Sequence, residues 1–208
     1  LDIGCGCGLP AIDIAKQKNY LVEGLTINAQ QQQKAVVLAA QSGLSYQTKF
    51  RVGDARALPY EKQSFDTALL LESIHHIGHQ EAIAEACRVL KPGGSILIAD
   101  GVAVTEDISP SNKQILSETF VASSLATKGE IKAYLELNGF SKVESYDLSK
   151  AIQPTWRKLI EATEHQRDSI IREHGSEFYK SMLEFWIQMK GIWSENARYL
   201  IFKAVKAA

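Results

Sequence analysis

The stretch Leu1-Asp2-Ile3-Gly4-Cys5-Gly6-Cys7-Gly8 decides the fold. Its first three residues are typical of the end of a buried strand, and they lead into a loop in which every second residue is glycine. Glycine lets the backbone turn tightly and approach a ligand closely, because it has no Cβ. We predict a helix from residue 9 to about residue 19, whose first backbone N–H groups face whatever occupies the loop. Asp2 adds an acceptor at the loop mouth, so the stretch predicts a site for a nucleoside-like ligand.

The glycine spacing narrows the choice of nucleoside. Dinucleotide-binding loops have the pattern G-x-G-x-x-G. Here the pattern is G-x-G-x-G, and Leu9 stands where the third glycine of the dinucleotide motif would be. A strand–turn–helix connection without a ligand also uses glycine, so the loop alone leaves that alternative open.

Composition excludes several classes of protein. The 208 residues have a net charge of −1, and 45% of them are hydrophobic. With no basic block, we expect neither nucleic acid nor an anionic membrane surface as a partner. No apolar run approaches the roughly 20 residues of a membrane span. The three cysteines lack partners at zinc-ligand spacing, so we predict reduced thiols, no metal and a cytoplasmic protein.

Further strands and helices alternate along the chain. We predict strands at residues 21–26, 50–55, 67–71, 95–99, 141–148 and 198–205, with helices between most of them. This alternation predicts an α/β fold with a doubly wound, seven-stranded, Rossmann-like sheet. Ligands bind at the carboxyl ends of such strands, where Asp2, Thr26, Asp54, Glu72 and Asp100 fall. Because only three residues precede Gly4 and a strand usually has about five, we also expect a missing N-terminal segment.

Residues 149–197 form a long insertion before the last predicted strand. They contain all three tryptophans, Trp156, Trp186 and Trp193, and long insertions in compact folds are usually functional. We predict a core at 1–148 and 198–208 and a helical cap at 149–197, to which a loop and short helix within 103–127 contribute. Trp156, Tyr179, Phe185 and Trp186 are the candidates for an apolar acceptor pocket, although such aromatics also serve simply as the core of the cap.

Four stretches resemble, in order, the class I S-adenosylmethionine-dependent methyltransferases. They are LDIGCGCG at 1–8, GLTINAQQ at 24–31, GDARALP at 53–59, and the segment from SFD at 64 to LIAD at 100. The resemblance implies that S-adenosylmethionine is the cofactor. The cofactor-binding residues that we predict are Asp2, Gly4, Gly6, Gly8, Thr26, Asn28, Gln31, Asp54, Ala55 and Glu72. Thr26 stands where many nucleoside-binding folds carry an acid for the ribose, so the ribose contact is the least regular part of the match.

The segment from SFD at 64 to LIAD at 100, which contains ESIHHI at 72–77, resembles the subgroup that contains the rebeccamycin sugar O-methyltransferase and other methyltransferases of secondary metabolism. The resemblance implies that His75, His76 and Asp100 are catalytic. A hydroxyl nucleophile must lose its proton, and histidine is the side chain suited to that near neutral pH. Because successive residues leaving a strand point to opposite sides, only one histidine can face the methyl group, and we favour His76.

Three alternatives stay open at this level. Methylation of carbon or nitrogen would need less of a base. A nicotinamide-dependent oxidoreductase predicts G-x-G-x-x-G, which does not occur, together with a catalytic Tyr-x-x-x-Lys, and Tyr179 is followed directly by Lys180. A catalytically inactive cofactor-binding scaffold is the third. The partner that we predict is a small-molecule acceptor, apolar or aromatic, and a homo-oligomer is not excluded.

Overall fold

The computed structural model describes residues 1–105, 109, 112, 114 and 125–207, and within them seven strands form one sheet. The strands are β1 (Asp2–Ile3), β2 (Val22–Thr26), β3 (Thr48–Val52), β4 (Phe65–Leu71), β5 (Leu90–Ala103), β6 (Phe140–Asp147) and β7 (Ala197–Lys206). The described helices are α1 (Leu9–Lys18), α2 (Ala29–Gln41), α3 (Ile74–Ile77), α4 (His79–Val89), α5 (Lys128–Leu137), α6 (Ser149–His165), α7 (Arg167–His174) and α8 (Ser176–Asn196).

The strand order across the sheet is β3-β2-β1-β4-β5-β7-β6. The first five strands in this order are parallel, and β7 runs antiparallel to both of its neighbours. The order therefore changes direction between β1 and β4, which is where such sheets bind their ligands. The predicted doubly wound, seven-stranded α/β sheet is confirmed.

Apolar side chains of the central strands and the covering helices form the core. Leu70 of β4 is fully buried in one cluster with Ile83 of α4 and Leu135 of α5. A second cluster joins Ile12 of α1 to Phe50 of β3. Strands covered by helices on both faces are continuously apolar, which is why the run of leucines at 69–71 marked β4.

Some boundaries differ from the prediction. β5 runs from Leu90 to Ala103 rather than over residues 95–99 alone, because it pairs along much of its length with the long antiparallel β7. β3 ends at Val52, so Asp54 and Ala55 lie in the loop after it. The two histidines lie on the short helix α3, which the sequence analysis had treated as the exit from a strand.

The insertion before the last strand is helical, as predicted, and forms α6, α7 and α8. Met189 and Ile192 of α8 are buried against Ala103 at the end of β5. The loop and short helix predicted within 103–127 fall largely outside the described residues. No helix among the residues that the structure describes has the length and apolar composition needed to cross a membrane.

Candidate functional site

The glycine loop lies at the point where the strand order changes direction. The backbone N–H groups of Gly4 and Cys5 both donate to the carbonyl of Leu25, each over 2.9 Å, and so attach the loop to the end of β2. Gly4, Gly6 and Gly8 have φ values of +80°, +53° and +77°. L-residues with a Cβ rarely adopt this left-handed conformation, so the loop requires glycine at all three positions.

The three glycines differ in what surrounds them. A Cβ at Gly4 would lie 2.5 Å from the Cβ of Ser73, and one at Gly8 would lie 2.6 Å from the ring of Phe50. A Cβ at Gly6 would meet nothing within 4 Å. Gly4 and Gly8 therefore allow close packing within the fold, whereas Gly6 borders open space at the start of α1.

Asp2 is a buried acid beside this loop. Its residue is 2% exposed, and its Oδ2 atom has no hydrogen-bond partner among the described residues. Burial raises the pKa of Asp2 to about 6, because moving a carboxylate out of water disfavours its charged form. A buried acceptor without a donor is costly in a folded protein, so Asp2 is suited to accept a hydrogen bond from a ligand.

The end of β2 and the start of α2 carry the residues predicted at the ribose. Thr26 is buried, and its Oγ1 donates to Oε1 of Gln31 over 2.8 Å. The side-chain oxygen Oδ1 of Asn28 accepts from the backbone N–H groups of Gln30 and Gln31 at 2.9 and 3.1 Å. The structure thus brings Thr26 and Gln31 together, and it uses Asn28 as the N-cap of α2.

Asp54 is partly exposed in the loop after β3 and forms a local ion pair with Arg56. The guanidinium contacts Oδ2 over 2.7 Å, and the backbone N–H of Arg56 donates to Oδ1 over 2.9 Å. These hydrogen bonds hold the pKa of Asp54 at about 2. A carboxylate accepts about four hydrogen bonds, and Arg56 makes four with Asp54, so a ligand donor at Asp54 would replace one of the Arg56 contacts. Ala55 next to it is buried.

His75 and Asp100 form a buried pair near the carboxyl ends of β4 and β5. The His75 Nδ1 lies 2.7 Å from Oδ1 of Asp100, and both side chains are 5% exposed. Asp100 also accepts from the backbone N–H groups of Ile74 and Gly101. Because a carboxylate can only accept, Nδ1 carries the proton, and the lone pair that can take up another proton is on Nε2.

His76 lies differently from its neighbour. It is exposed, and its ring centroid is 4.0 Å from that of His75. His75 lines the cavity described next, and His76 is not among its lining residues. The strand alternation used to favour His76 does not apply here, because both residues lie on a helical turn.

A cavity of about 260 Å³ lies between the strand ends and the inserted helices. Its lining residues are Glu72, His75, Asp100, Gly101, Ile152, Thr155, Trp156, Leu159, Trp186, Trp193 and Tyr199. Two of the four aromatics predicted for the pocket, Trp156 and Trp186, are in this wall. Tyr179 and Phe185 are not in it, and Phe185 packs edge-on against Trp186 at 4.9 Å.

Sequence reasoning missed six residues of this wall, among them Gly101, Trp193 and Tyr199. Trp193 packs directly over Gly101, where a Cβ would lie 2.5 Å from the indole ring. Tyr199 lies near the start of β7 and donates from its hydroxyl to Oε1 of Glu72 over 2.9 Å. Since β7 is antiparallel, its first residues lie at the same edge as the carboxyl ends of β4 and β5. The position of Tyr199 near the start of the last strand was therefore the feature that could have identified it as a cavity residue.

Comparisons with known proteins agree with this geometry. The family described as "Methyltransferase domain" matches residues 1–94. The chain is 31% identical over 210 residues to (+)-O-methylkolavelool synthase of Herpetosiphon aurantiacus, covering 99% of this chain and 73% of that one. It is 32% identical to 27-O-demethylrifamycin SV methyltransferase of Amycolatopsis mediterranei, over 83% of this chain and 64% of that one, so it spans less than two thirds of this second relative.

Solved structures share the fold. Phosphoethanolamine N-methyltransferase 2 of Haemonchus contortus, in complex with phosphomonomethylethanolamine and S-adenosylhomocysteine, superposes with a TM-score of 0.86 at 22% identity. The match covers 100% of this chain and 48% of that chain. The sheet order, the glycine loop at its switch point and the similarity to these proteins lead to one conclusion: the chain belongs to the class I S-adenosylmethionine-dependent methyltransferases, and S-adenosylmethionine is its cofactor.

Proposed function

We propose that the protein methylates a hydroxyl oxygen of a small, largely apolar acceptor, with His75 as the general base. The observation that carries this proposal is the buried His75–Asp100 pair, with 2.7 Å between Nδ1 and Oδ1, in the wall of an otherwise mostly apolar cavity. The resemblance to the rebeccamycin sugar O-methyltransferase subgroup is part of the same proposal.

The residues of the switch point fit the cofactor. Gly6 leaves open space at the start of α1, and Asp2 presents a buried oxygen without a donor. Thr26 and Gln31 lie on the side of β2, where a ribose would lie, and Asp54 would reach the adenine amino group beyond the end of β3. The proposed cofactor site comprises Asp2, Gly4, Gly6, Gly8, Thr26, Asn28, Gln31, Asp54, Ala55 and Glu72, with Asn28 acting through the cap of α2.

The chemistry then requires little of the protein beyond position and proton transfer. When bound, the cofactor supplies an activated sulfonium methyl, which forms the O–CH₃ bond as its S–CH₃ bond breaks. Holding the hydroxyl in line with that methyl supplies several kcal/mol in comparable reactions. Nε2 of His75 takes up the hydroxyl proton, while Asp100 holds the imidazole by Nδ1. Asp100 also stabilises the imidazolium that results.

The cavity wall supports an apolar acceptor. Five of its eleven lining residues are large and apolar, namely Ile152, Trp156, Leu159, Trp186 and Trp193. Flat ring systems pack well against aromatic side chains. We therefore propose that helices α6–α8 form the cap over the core, and that an aromatic or terpenoid alcohol is favoured over a bare sugar or amino acid. The names of both sequence relatives specify an O-methyl position, which also favours oxygen as the nucleophile.

Methylation of nitrogen or carbon is the second candidate. The Haemonchus contortus enzyme, which shares the fold, is by its name an N-methyltransferase. An amine or an electron-rich carbon needs a weaker base than a hydroxyl, so this candidate predicts a small effect of removing the His75 imidazole.

The test compares His75→Ala with His76→Ala. Transfer of a labelled methyl group is measured to a panel of hydroxylated terpenoids, phenols, amines and indoles, and S-adenosylhomocysteine binding is measured by calorimetry. We expect His75→Ala to lower turnover on a hydroxyl acceptor by about 10²–10⁴-fold, the usual contribution of a general base. His76→Ala is the matched control and should stay near the parent. Near-parental turnover of His75→Ala, with amines or carbons as the labelled atoms, would contradict the proposal.

A further inference from the structure

Tyr199 and Glu72 meet at the cavity from opposite sides of β5. Tyr199 is paired with Gly101 of β5, and the backbone N–H of Glu72 donates to the carbonyl of Ala99 over 2.8 Å. The Tyr199 hydroxyl donates to Oε1 of Glu72 over 2.9 Å. Gly101 lies between them without a side chain. This hydrogen bond therefore joins two residues that are 127 positions apart in the chain and that both line the cavity.

The backbone of Glu72 has an uncommon conformation. Its φ is +50°, which costs free energy for any residue with a Cβ. Such conformations persist where the surrounding structure holds them, and they cluster at binding and catalytic sites. Here the hydrogen bonds from Glu72 N–H to β5 and from Tyr199 to its carboxylate hold the residue.

Tyr199 acts as a donor at physiological pH. The residue is buried, and this burial is the main reason that the pKa of its hydroxyl lies well above the usual range. The nearby Glu72 carboxylate raises that pKa further. A carboxylate accepts about four hydrogen bonds, so one from Tyr199 leaves Glu72 able to accept others. Glu72 is exposed and lines the same cavity as His75, which leaves it accessible to a ligand.

The remaining wall gives a small molecule few polar partners. Apart from Glu72, the His75–Asp100 pair, Thr155 and Tyr199, the lining side chains are aliphatic or aromatic. Glu72 and Asp100 both line this cavity of about 260 Å³, so one compact acceptor can reach both. A polar group opposite Glu72 would be next to the atom that His75 deprotonates.

We infer that Glu72 binds a second hydroxyl or amine group of the acceptor, adjacent to the methylated oxygen, and that Tyr199 positions the Glu72 carboxylate for that contact. The acceptor class is then an apolar ring system with two neighbouring donor groups. This inference rests on the proposed function. Tyr199 is a positioning residue in it, because it acts through Glu72.

The test measures binding of a matched pair of probes. 2,3-Dihydroxynaphthalene and 2-naphthol differ by the second hydroxyl alone, and each is titrated by calorimetry into protein saturated with S-adenosylhomocysteine. We expect the parent to bind the diol roughly 10- to 100-fold more tightly, as a hydrogen bond to a charged group gives. In Tyr199→Phe, which leaves the Glu72 carboxylate in place, this preference should fall below about threefold, with the affinity for 2-naphthol unchanged. Glu72→Gln should lose the preference as well.

Tyr146→Phe is the matched control. The Tyr146 hydroxyl donates to Oε2 of Glu144 over 2.6 Å on β6, where both residues are exposed and neither lines the cavity. This variant should keep the parental preference for the diol. The inference is overturned if the parent shows no preference, including no binding of either probe, or if Tyr199→Phe retains it. Because the complex with S-adenosylhomocysteine cannot transfer a methyl group, the result does not depend on whether His75 is the base, which the labelling assay tests separately.

Discussion

Replacing Gly6 by valine should separate cofactor binding from folding. Gly6 has a φ of +53°, and a Cβ there meets nothing within 4 Å. The Cβ of the new side chain therefore does not clash within the protein, and its branched methyl groups extend into the space next to the start of α1. The only folding cost is that of holding an L-residue in a left-handed conformation, about 1–2 kcal/mol.

The same substitution should also weaken the binding of S-adenosylhomocysteine. Forcing additional methyl groups into a packed site costs about 1–3 kcal/mol, which corresponds to roughly 5- to 150-fold in Kd. S-adenosylhomocysteine at about 100 times its Kd stabilises a protein by ~2.7 kcal/mol. For a domain of this size each kcal/mol shifts Tm by about 2–4 °C. The ligand should thus raise the Tm of the parent by about 5–10 °C and that of Gly6→Val, at the same ligand concentration, by only about 1–7 °C.

Gly43→Val is the matched control for the backbone strain. Gly43 follows α2 with a φ of +70°, and a Cβ there also meets nothing within 4 Å. Both variants should lose about 1–2 kcal/mol of stability without ligand, yet Gly43→Val should keep the full ligand-induced rise in Tm and the parental Kd by calorimetry. If Gly6→Val binds S-adenosylhomocysteine within threefold of the parent, the space beside Gly6 does not hold the cofactor, and the reasoning is refuted.

Two further predictions concern Asp2 and Gly101. The folded-state pKa of Asp2 is raised to about 6 from 3.8, so ionisation of Asp2 costs stability as the pH rises from 4 through 6. In urea unfolding, the free energy of unfolding of Asp2→Asn should therefore rise by up to ~3 kcal/mol relative to the parent across that interval. A constant difference contradicts this prediction. Gly101→Ala places a methyl group 2.5 Å from Trp193 and should lower Tm by about 2–10 °C, whereas Gly191→Ala, a helical glycine with open space, should leave it unchanged or raise it.

Local sequence patterns determined most of the fold. Alternating apolar runs and helix caps predicted the strands and the switch point, because strand burial and capping depend on residues close in sequence. The candidate cofactor residues at the loop and at the ends of β2 and β3 could be proposed from the sequence for the same reason. Each follows its strand directly, and parallel strands bring their carboxyl ends to one edge whatever the packing details.

The roles of individual residues at the cavity were harder to predict. The sequence marked both His75 and His76, and the distinction between them came from a contact with Asp100, 25 residues away. Likewise, the equal spacing of Gly4, Gly6 and Gly8 concealed that Ser73 and Phe50 pack against the first and third of them. Neither contact has a local signal, because each joins residues far apart in the chain.

The sequence by itself determined the sheet, the glycine loop and the set of polar residues at the strand ends. The tertiary structure alone decided which of them line the cavity, and it added Tyr199, Gly101 and Trp193 to that wall. The physical reason is that strand and helix formation respond to periodicity and caps within a few residues. The shape of the cavity depends instead on how α8 packs across the end of β5 and on the antiparallel return of β7, which no short stretch of sequence encodes.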